Sequence, residues 1–165
     1  MYKINDAVMY GALGPCTISS IETLDFMGDK QEYYVLKPIN SEKDIFYVPT
    51  NNQKAVCKLR SVCSKSDVDT LISQINSGEL IWIENDTERK AEYGRIIKRA
   101  DKYEIIMLLR TLYLRRQELV QNGKKLRASD ENYFRIAEKM IFDEFAFALG
   151  IDKSEVVEYI KKHIS

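Results

Sequence analysis

The sequence is poor in the residues that most often carry out catalysis or bind metals. Its 165 residues include one histidine, three cysteines and one tryptophan. His163 lies two residues from the end, so few groups can exchange a proton near neutral pH. A glycine-rich phosphate loop, the G-x-S-x-G nucleophile pattern and the H-E-x-x-H zinc pattern are also missing. We therefore expect a protein that has no catalytic residues and is not an enzyme.

The cysteines lack the pattern of a disulfide scaffold or a zinc site. An odd number cannot pair completely, and Cys57 and Cys63 are six residues apart with no second pair elsewhere. Cys16 has no histidine near it in sequence to activate its thiol. The sequence predicts free or buried thiols, no bound metal and no cofactor.

Long apolar segments are missing as well. No stretch is long and apolar enough to span a bilayer, and the first residues lack a basic leader followed by an apolar run. Lysine and arginine total 25, as do aspartate and glutamate, so no net field draws the whole chain to nucleic acid or membrane. We expect a cytoplasmic protein that does not bind membranes and forms one domain or two small ones.

The first 62 residues carry the pattern of short strands separated by turns. Val8 and Tyr10 alternate as in a half-buried strand, and a tight turn follows at Gly14 and Pro15. A second turn is predicted at residues 26–30, and further strands at residues 17–24, 32–37, 45–48 and within 56–62. Strands this short must curl to bury a shared face, so we expect a five-stranded, barrel-like sheet.

The rest of the chain shows helical periodicity. Ser66 is predicted to cap a helix over residues 67–75, Asp86 or Thr87 one over about 88–99, and Asp101 one over about 102–121. Two more helices are expected, one from Ser129 to Gly150 and one after Asp152. The predicted fold class is α+β, with a small curved β-barrel or sheet followed by an α-helical domain. We place the domains at residues 1–62 and 83–165, with a helix and linker at 63–82.

The zero net charge conceals a strong segregation. Residues 89–127 contain twelve basic and four acidic side chains, a local excess of +8. Such a run on helices fits either a solvated face or a surface that contacts phosphates. Nothing in it has the pattern of a recognition helix, so any nucleic-acid contact is expected to be largely independent of base sequence.

The only tryptophan, Trp82, stands directly before this basic region. Its neighbours Leu80, Ile81 and Ile83 are apolar, which fits a ring packed between two domains. The alternative is an exposed ring that stacks on a base or inserts between two base pairs. The sequence leaves both interpretations open.

Several segments, taken in order, resemble a known family. They are VMYGALGPCTI at residues 8–18, Ile21-Glu22, EYYVLK at residues 32–37 and Tyr47-Val48-Pro49, followed in the helical half by Trp82, Arg89, Tyr93, Asp101 and residues 108–117 and 129–149. The chain resembles the CarD/CdnL family of bacterial transcription regulators over essentially its whole length. Its N-terminal module is similar to the RNA-polymerase-interacting domain of the transcription-repair coupling factor.

This resemblance implies that a Tudor-like N-terminal module docks on the β subunit of RNA polymerase through an exposed strand. The polymerase-binding residues it implies are Thr23, Leu24, Asp25, Phe46 and Tyr47. Family members often present arginines to the polymerase at two positions that are occupied here by Leu24 and Tyr47. We therefore expect an apolar docking surface.

The resemblance also implies that the helical domain contacts promoter DNA at the upstream edge of the transcription bubble and alters open-complex stability without an active site. Trp82 would insert into the minor groove, while basic side chains hold nearby phosphates. The implied phosphate contacts are Arg89, Lys90, Lys124, Lys125 and Arg127. The alternative is a β-module with a helical adaptor that binds another protein and does not touch DNA. The oligomeric state stays open, with a monomer as the expectation.

Overall fold

A computed structural model describes residues 1–26 and 28–164 of the chain. The chain forms two compact units, Met1–Cys63 and Ser64–Ser165. We call them the β unit and the helical unit. Met27, in the middle of the predicted turn at residues 26–30, lies outside the described residues.

The β unit is built on one antiparallel sheet. Its five strands lie in the order β4-β3-β2-β1-β5. Their bounds are Ala7–Tyr10 for β1, Pro15–Phe26 for β2, Asp29–Pro38 for β3, Phe46–Pro49 for β4 and Leu59–Ser61 for β5. A 3₁₀ turn, Gly11–Leu13, joins the first two strands, and Gly14 follows it at φ +92°, a backbone conformation that favours glycine.

The predicted fifth strand is confirmed, but it is shorter than the segment 56–62. The residues before it form a helical turn, α1, over Gln53–Val56. The side chain of Asn52 accepts a hydrogen bond from the backbone N–H of Ala55 and so caps this turn. The chain is therefore helical up to Val56, and only Leu59–Ser61 pair with β1.

The core of the β unit lies on one face of the curved sheet. Val8, Cys16, Ile18, Leu36 and Val48 are fully buried there. The pairing of β2 with β3 shifts register between Ile18 and Ser20. A bulge of this kind bends the strand and increases its twist, which lets the sheet curl around its own apolar side chains.

The helical unit contains five further helices. They are α2 at Lys65–Gln74, α3 at Asp86–Arg99, α4 at Lys102–Gln121, α5 at Ala128–Leu149 and α6 at Val156–His163. Asp101 caps α4, the left-handed Gly150 ends α5, and Asp152 caps the 3₁₀ turn that leads into α6, as predicted. The predicted α+β fold class is therefore confirmed.

Two predicted helix caps are wrong, and α5 begins at Ala128 rather than at the predicted Ser129. Ser64, rather than Ser66, caps α2, because its hydroxyl accepts from the N–H of Asp67 while the Asp67 carboxylate accepts from the Ser64 N–H. The Ser64 hydroxyl also donates to the Asp67 carboxylate at 2.7 Å, and this bond, followed by the one from the Ser64 N–H, lowers the pKa of the Asp67 carboxyl. Asn85, rather than Asp86 or Thr87, caps α3, because its side-chain oxygen accepts from the N–H groups of Thr87 and Glu88.

Helix α5 runs through the middle of the helical unit and contacts α2, α3, α4 and α6. The core around it is apolar, with Tyr93, Leu108, Leu112 and Phe145 fully buried. It also encloses charged side chains, namely Arg89, Asp130, Asp143 and Glu144. Among residues 1–26 and 28–164, no helix combines the length and the apolar character needed to cross a bilayer.

Candidate functional site

Strand β4 leaves one edge of the sheet open. It pairs with β3 on one side, and it is the terminal strand of the sheet among the described residues. The N–H of Thr50 donates to the carbonyl of Glu32, which fixes the alternation of hydrogen-bonded pairs along β3 and β4. By that alternation the backbone N–H and C=O of Tyr47 point away from β3. Pro49, two residues on, has no N–H to offer.

The side chains of Leu24 and Tyr47 share the outer face of the sheet. Tyr47 pairs with Val35, and side chains two residues apart on a strand lie on the same face. The Tyr47 ring lies 6.0 Å from that of Phe26, which in turn is 5.3 Å from Tyr33, both in edge-to-face geometry. Phe26 and Tyr47 are about half exposed. We call Leu24, Phe26, Tyr33 and Tyr47 the aromatic patch.

The other three predicted docking residues lie elsewhere. Thr23 and Asp25 are neighbours of Leu24 along the strand and therefore point to the opposite face. The Asp25 carboxylate accepts a hydrogen bond from the N–H of Gly28, so it supports the hairpin turn. Phe46 packs against the core cluster. Of the five predicted residues, the structure brings only Leu24 and Tyr47 together on one outward surface.

Phe26 and Tyr33 were not among the predicted docking residues, although they complete the aromatic patch. The alternation of side chains along β2 carries a signal for Phe26, which is two residues from Leu24. The pairing of Tyr33 with Glu22 depends on the register between β2 and β3. A sequence pattern does not give that register when the strands contain a bulge.

Trp82 is half-buried, and its ring contacts three side chains of the helical unit. Its indole Nε1 donates to the Glu84 carboxylate at 2.8 Å. The guanidinium carbons of Arg89 and Arg115 lie 4.5 and 4.7 Å from the centroid of its ring. Cations at this distance are attracted to the negative face of the indole. Arg115 belonged to the predicted basic region but was not predicted as a site residue, and nothing in the sequence pairs it with Trp82.

Arg89 is buried, which argues against the predicted phosphate contact. Its side chain is 3% exposed, and its Nε and Nη2 both donate to the Asp130 carboxylate at 3.0 Å. Its Nη1 donates to the carbonyl of Ile83 at 2.8 Å. The hydrogen bonds to Asp130 are the main reason that the pKa of Arg89 is raised. This arginine holds the segment that carries Trp82 against α5.

The Asp86 carboxylate gathers three of the predicted cations. It pairs with Arg89 at 2.7 Å, with Lys90 at 2.9 Å and with Arg127 at 3.2 Å. The hydrogen bond from Lys90 is the largest cause of the lowered pKa of this carboxyl. Lys90 and Arg127 are exposed, so the structure brings together cations that are far apart in sequence on one accessible surface.

Lys124 and Lys125 lie in the turn between α4 and α5, close in sequence to Arg127. Both are exposed. Within the part of the chain that the structure describes, neither lysine makes a side-chain ion pair of 4 Å or less. We call Lys90, Lys124, Lys125 and Arg127 the basic rim. Exposed cations of this kind are the groups that release counterions when they meet a phosphate.

The described residues show no cluster suited to a metal ion. No group of three or more histidine, cysteine, aspartate or glutamate side chains among them has the arrangement a metal needs. Cys16, Cys57 and Cys63 do not form disulfides. Burial raises the pKa of the Cys16 thiol to about 11, so it is protonated near neutral pH.

Family models match both units. A model described as the CarD-like/TRCF RID domain matches residues 2–63. A second model, described as the CarD C-terminal domain, matches residues 71–161, which is more than half of the chain. The two matches follow each other in the same order as the β unit and the helical unit.

Proposed function

The chain belongs to the CarD-like family of transcription regulators, which interact with RNA polymerase, and from this premise we propose that it binds the polymerase β subunit and contacts promoter DNA. Residues 1–62 serve as the Tudor-like docking module and residues 83–165 as the DNA-contacting domain. The chain acts without an active site, by changing the stability of the open complex. The free edge of β4, flanked by the aromatic patch, is the observation that carries the docking step.

Docking by strand addition fits this edge. The outward N–H and C=O of Tyr47 can pair with a strand of the partner, while the aromatic patch provides apolar contact on the adjoining face. The expected arginines are replaced by Leu24 and Tyr47, so the contact depends on apolar burial more than on charge. We therefore expect polymerase binding to weaken little as salt is raised.

The basic rim supports the contact with DNA. Lys124 and Lys125 are exposed, and Lys90 and Arg127 both pair with the Asp86 carboxylate. DNA phosphates at the upstream edge of the bubble can replace that carboxylate as the partner of Lys90 and Arg127. Contacts that exist only when the duplex has opened shift the equilibrium toward the open complex by their differential affinity alone.

Trp82 has a more limited role in this arrangement than a free wedge. Its N–H is bound to Glu84 and two guanidinium groups lie over its ring. Insertion between base pairs requires at least the Glu84 hydrogen bond to break. We propose that Trp82 contacts the distorted base step by an exposed edge while Arg89 stays in place beneath it.

The same engagement of Trp82 and Arg89 favours the rival function, a protein adaptor that does not touch DNA. The two proposals differ in what the basic rim does. In the adaptor, reversal of the lysine charges leaves promoter complexes unchanged. In the transcription regulator, the same reversal shortens their lifetime.

The experiment compares open-complex lifetime with wild-type protein and with the Lys124→Glu/Lys125→Glu variant. We expect a shorter lifetime and a salt dependence that is smaller by about one to two units of log–log slope. The matched control is Lys65→Glu/Lys162→Glu, two exposed lysines of the helical unit outside the basic rim, which should leave the lifetime unchanged. Polymerase retention is measured in parallel with Tyr47→Asp, which should lose binding, and Thr23→Asp, which should keep it. Unchanged lifetimes with both lysine variants would support the adaptor instead.

A further inference from the structure

The helical unit carries a groove that the proposed function does not use. Most of its lining residues belong to α4, α5 and α6, and the groove has a volume of about 620 Å³. Its walls are mostly apolar, with Leu109, Tyr113, Val120, Phe142, Val157 and Ile160 among the lining side chains. We call it the α4–α6 groove.

The apolar lining of this groove is open to solvent. Val120 is 61% exposed, Tyr113 is 46% exposed and Val157 is 38% exposed. An enclosed pocket for a small molecule would cover its lining, because such pockets bury most of the ligand surface. A continuous exposed apolar surface marks instead a contact site for another macromolecule.

The shape of the groove fits a helix. Leu109, Tyr113 and Val120 recur on one face of α4 at a spacing of four and seven residues. At the rise of an α-helix they span about 17 Å, the length of roughly three helical turns. The walls are themselves helices, so the groove offers side chains rather than free backbone groups. This is the arrangement in which an amphipathic helix lays its apolar stripe between two others.

The charged side chains along the groove favour acidic residues on the flanks of that helix. Arg110, Arg116 and Lys161 line the groove, against a single carboxylate, Glu138. Arg116 is 3.9 Å from Glu131, and Lys161 pairs with Glu158 where both side chains are largely exposed. Exposed ion pairs contribute little to stability, so both cations can exchange to a carboxylate of a partner.

We propose that the α4–α6 groove binds an amphipathic helix of another protein, with an apolar stripe flanked by aspartate or glutamate. A second copy of this chain fits less well, because a symmetric contact would set these cations against their own counterparts. The site goes beyond polymerase docking and DNA contact, and its residues belong to neither the aromatic patch nor the basic rim.

The test uses full-length protein and a fluorescein-labelled synthetic peptide of about 16 residues that forms a helix. The peptide carries leucine at i, i+3, i+4 and i+7 spacing, with glutamate on both flanks, and a second peptide has lysine in place of each glutamate. Fluorescence anisotropy should show the acidic peptide binding at least about tenfold more tightly than the basic one. Val120→Glu should weaken the acidic peptide by about tenfold or more, and Arg116→Gln by about threefold.

Leu114→Glu is the matched control, since Leu114 is an exposed aliphatic residue of α4 that does not line the groove. It should leave the affinity within about twofold of wild type. Equal binding of the two peptides, absence of binding, or full binding by Val120→Glu would overturn the proposal. A dimer in light scattering that Val120→Glu abolishes would assign the groove to a second copy, and that also would overturn it. If Val120→Glu does not melt cooperatively by circular dichroism, the two peptides and Arg116→Gln decide the outcome.

Discussion

The β unit and the helical unit bury different chemistry. The core cluster of the β unit consists of apolar side chains such as Val8, Ile18 and Leu36. The helical unit encloses Arg89 and Asp130, and it also buries Asp143 and Glu144 next to lysines. Among the described residues, every buried charged side chain belongs to the helical unit.

This difference shows which residues of each unit are available to recognise a partner. In the β unit the interior only has to be filled, and the features that can recognise a partner lie outside, on the edge of β4 and the aromatic patch. In the helical unit a buried ion pair fixes the segment of Trp82, so the interior and the surface are coupled. Removing one ionic partner there leaves an unpaired charge, which costs more than the pair itself contributes.

The largest expected effect comes from Asp130→Ala. It leaves the buried guanidinium of Arg89 with only part of its partners, and we expect the free energy of unfolding of the helical unit to fall by about 3–5 kcal/mol. Hydrogen exchange of peptides from α3 and α5 measures this unit separately. Glu118→Ala is the control, because its carboxylate pairs with Arg115 at 2.7 Å but is 60% exposed. A loss below about 1 kcal/mol for Asp130→Ala would break the comparison between the two units.

The second effect is expected in the β unit. Leu36→Ala removes a fully buried side chain and should destabilise the unit by about 3 kcal/mol, from lost burial and the cavity left behind. Leu36→Met keeps the volume and should cost less than about 1.5 kcal/mol. Hydrogen exchange of β2 and β3 peptides gives both values. Similar losses of stability for the two variants would mean that this core depends on the exact shape of the Leu36 side chain and not only on its volume.

The smallest effect concerns the hydroxyl of Tyr93, which donates to the carbonyl of Ile81 at 2.9 Å. Burial is the main cause that raises the pKa of Tyr93 to about 12. Above pH 10 the unfolded chain loses this proton before the folded one, so stability falls as pH rises toward 12, by up to about 1.4 kcal/mol per unit. Tyr93→Phe should cost about 1 kcal/mol at pH 8 and show a shallower alkaline loss.

Denaturant unfolding at pH 8, 10 and 11 measures both quantities, with Tyr113→Phe as a control at an exposed tyrosine of the same unit. Identical pH dependence in wild type and Tyr93→Phe would show that Tyr93 does not couple protonation to folding.

Much of the fold could be predicted from local patterns. The period of two before residue 63 and the helical period after it depend only on nearby residues. The cap of α2 could not be predicted, because Ser64 and Ser66 each stand three residues before an aspartate. Both serines satisfy the local rule, so the sequence pattern alone does not choose between them.

The site was harder to predict, because its contacts join distant parts of the chain. Arg89 was expected to meet phosphate, but it pairs with Asp130, 41 residues away. The resemblance implies that Thr23 and Leu24 both bind the polymerase, although neighbours on a strand face opposite ways. Trp82 and Arg115 come together only when the segment before α3 lies against α4. Such contacts depend on helix packing that a single sequence does not display.

The free edge of β4 also has a consequence for timing. Within β4, only Tyr47 offers both backbone groups outward, since the register turns Val48 toward β3 and Pro49 lacks an N–H. A strand added at this edge gains few main-chain hydrogen bonds. Most of the binding free energy must therefore come from contacts with the aromatic patch. Residence time on a partner is then governed by how fast a few aromatic side chains separate. In the docking that we propose, a change in the shape of the partner surface that contacts these rings would release the regulator.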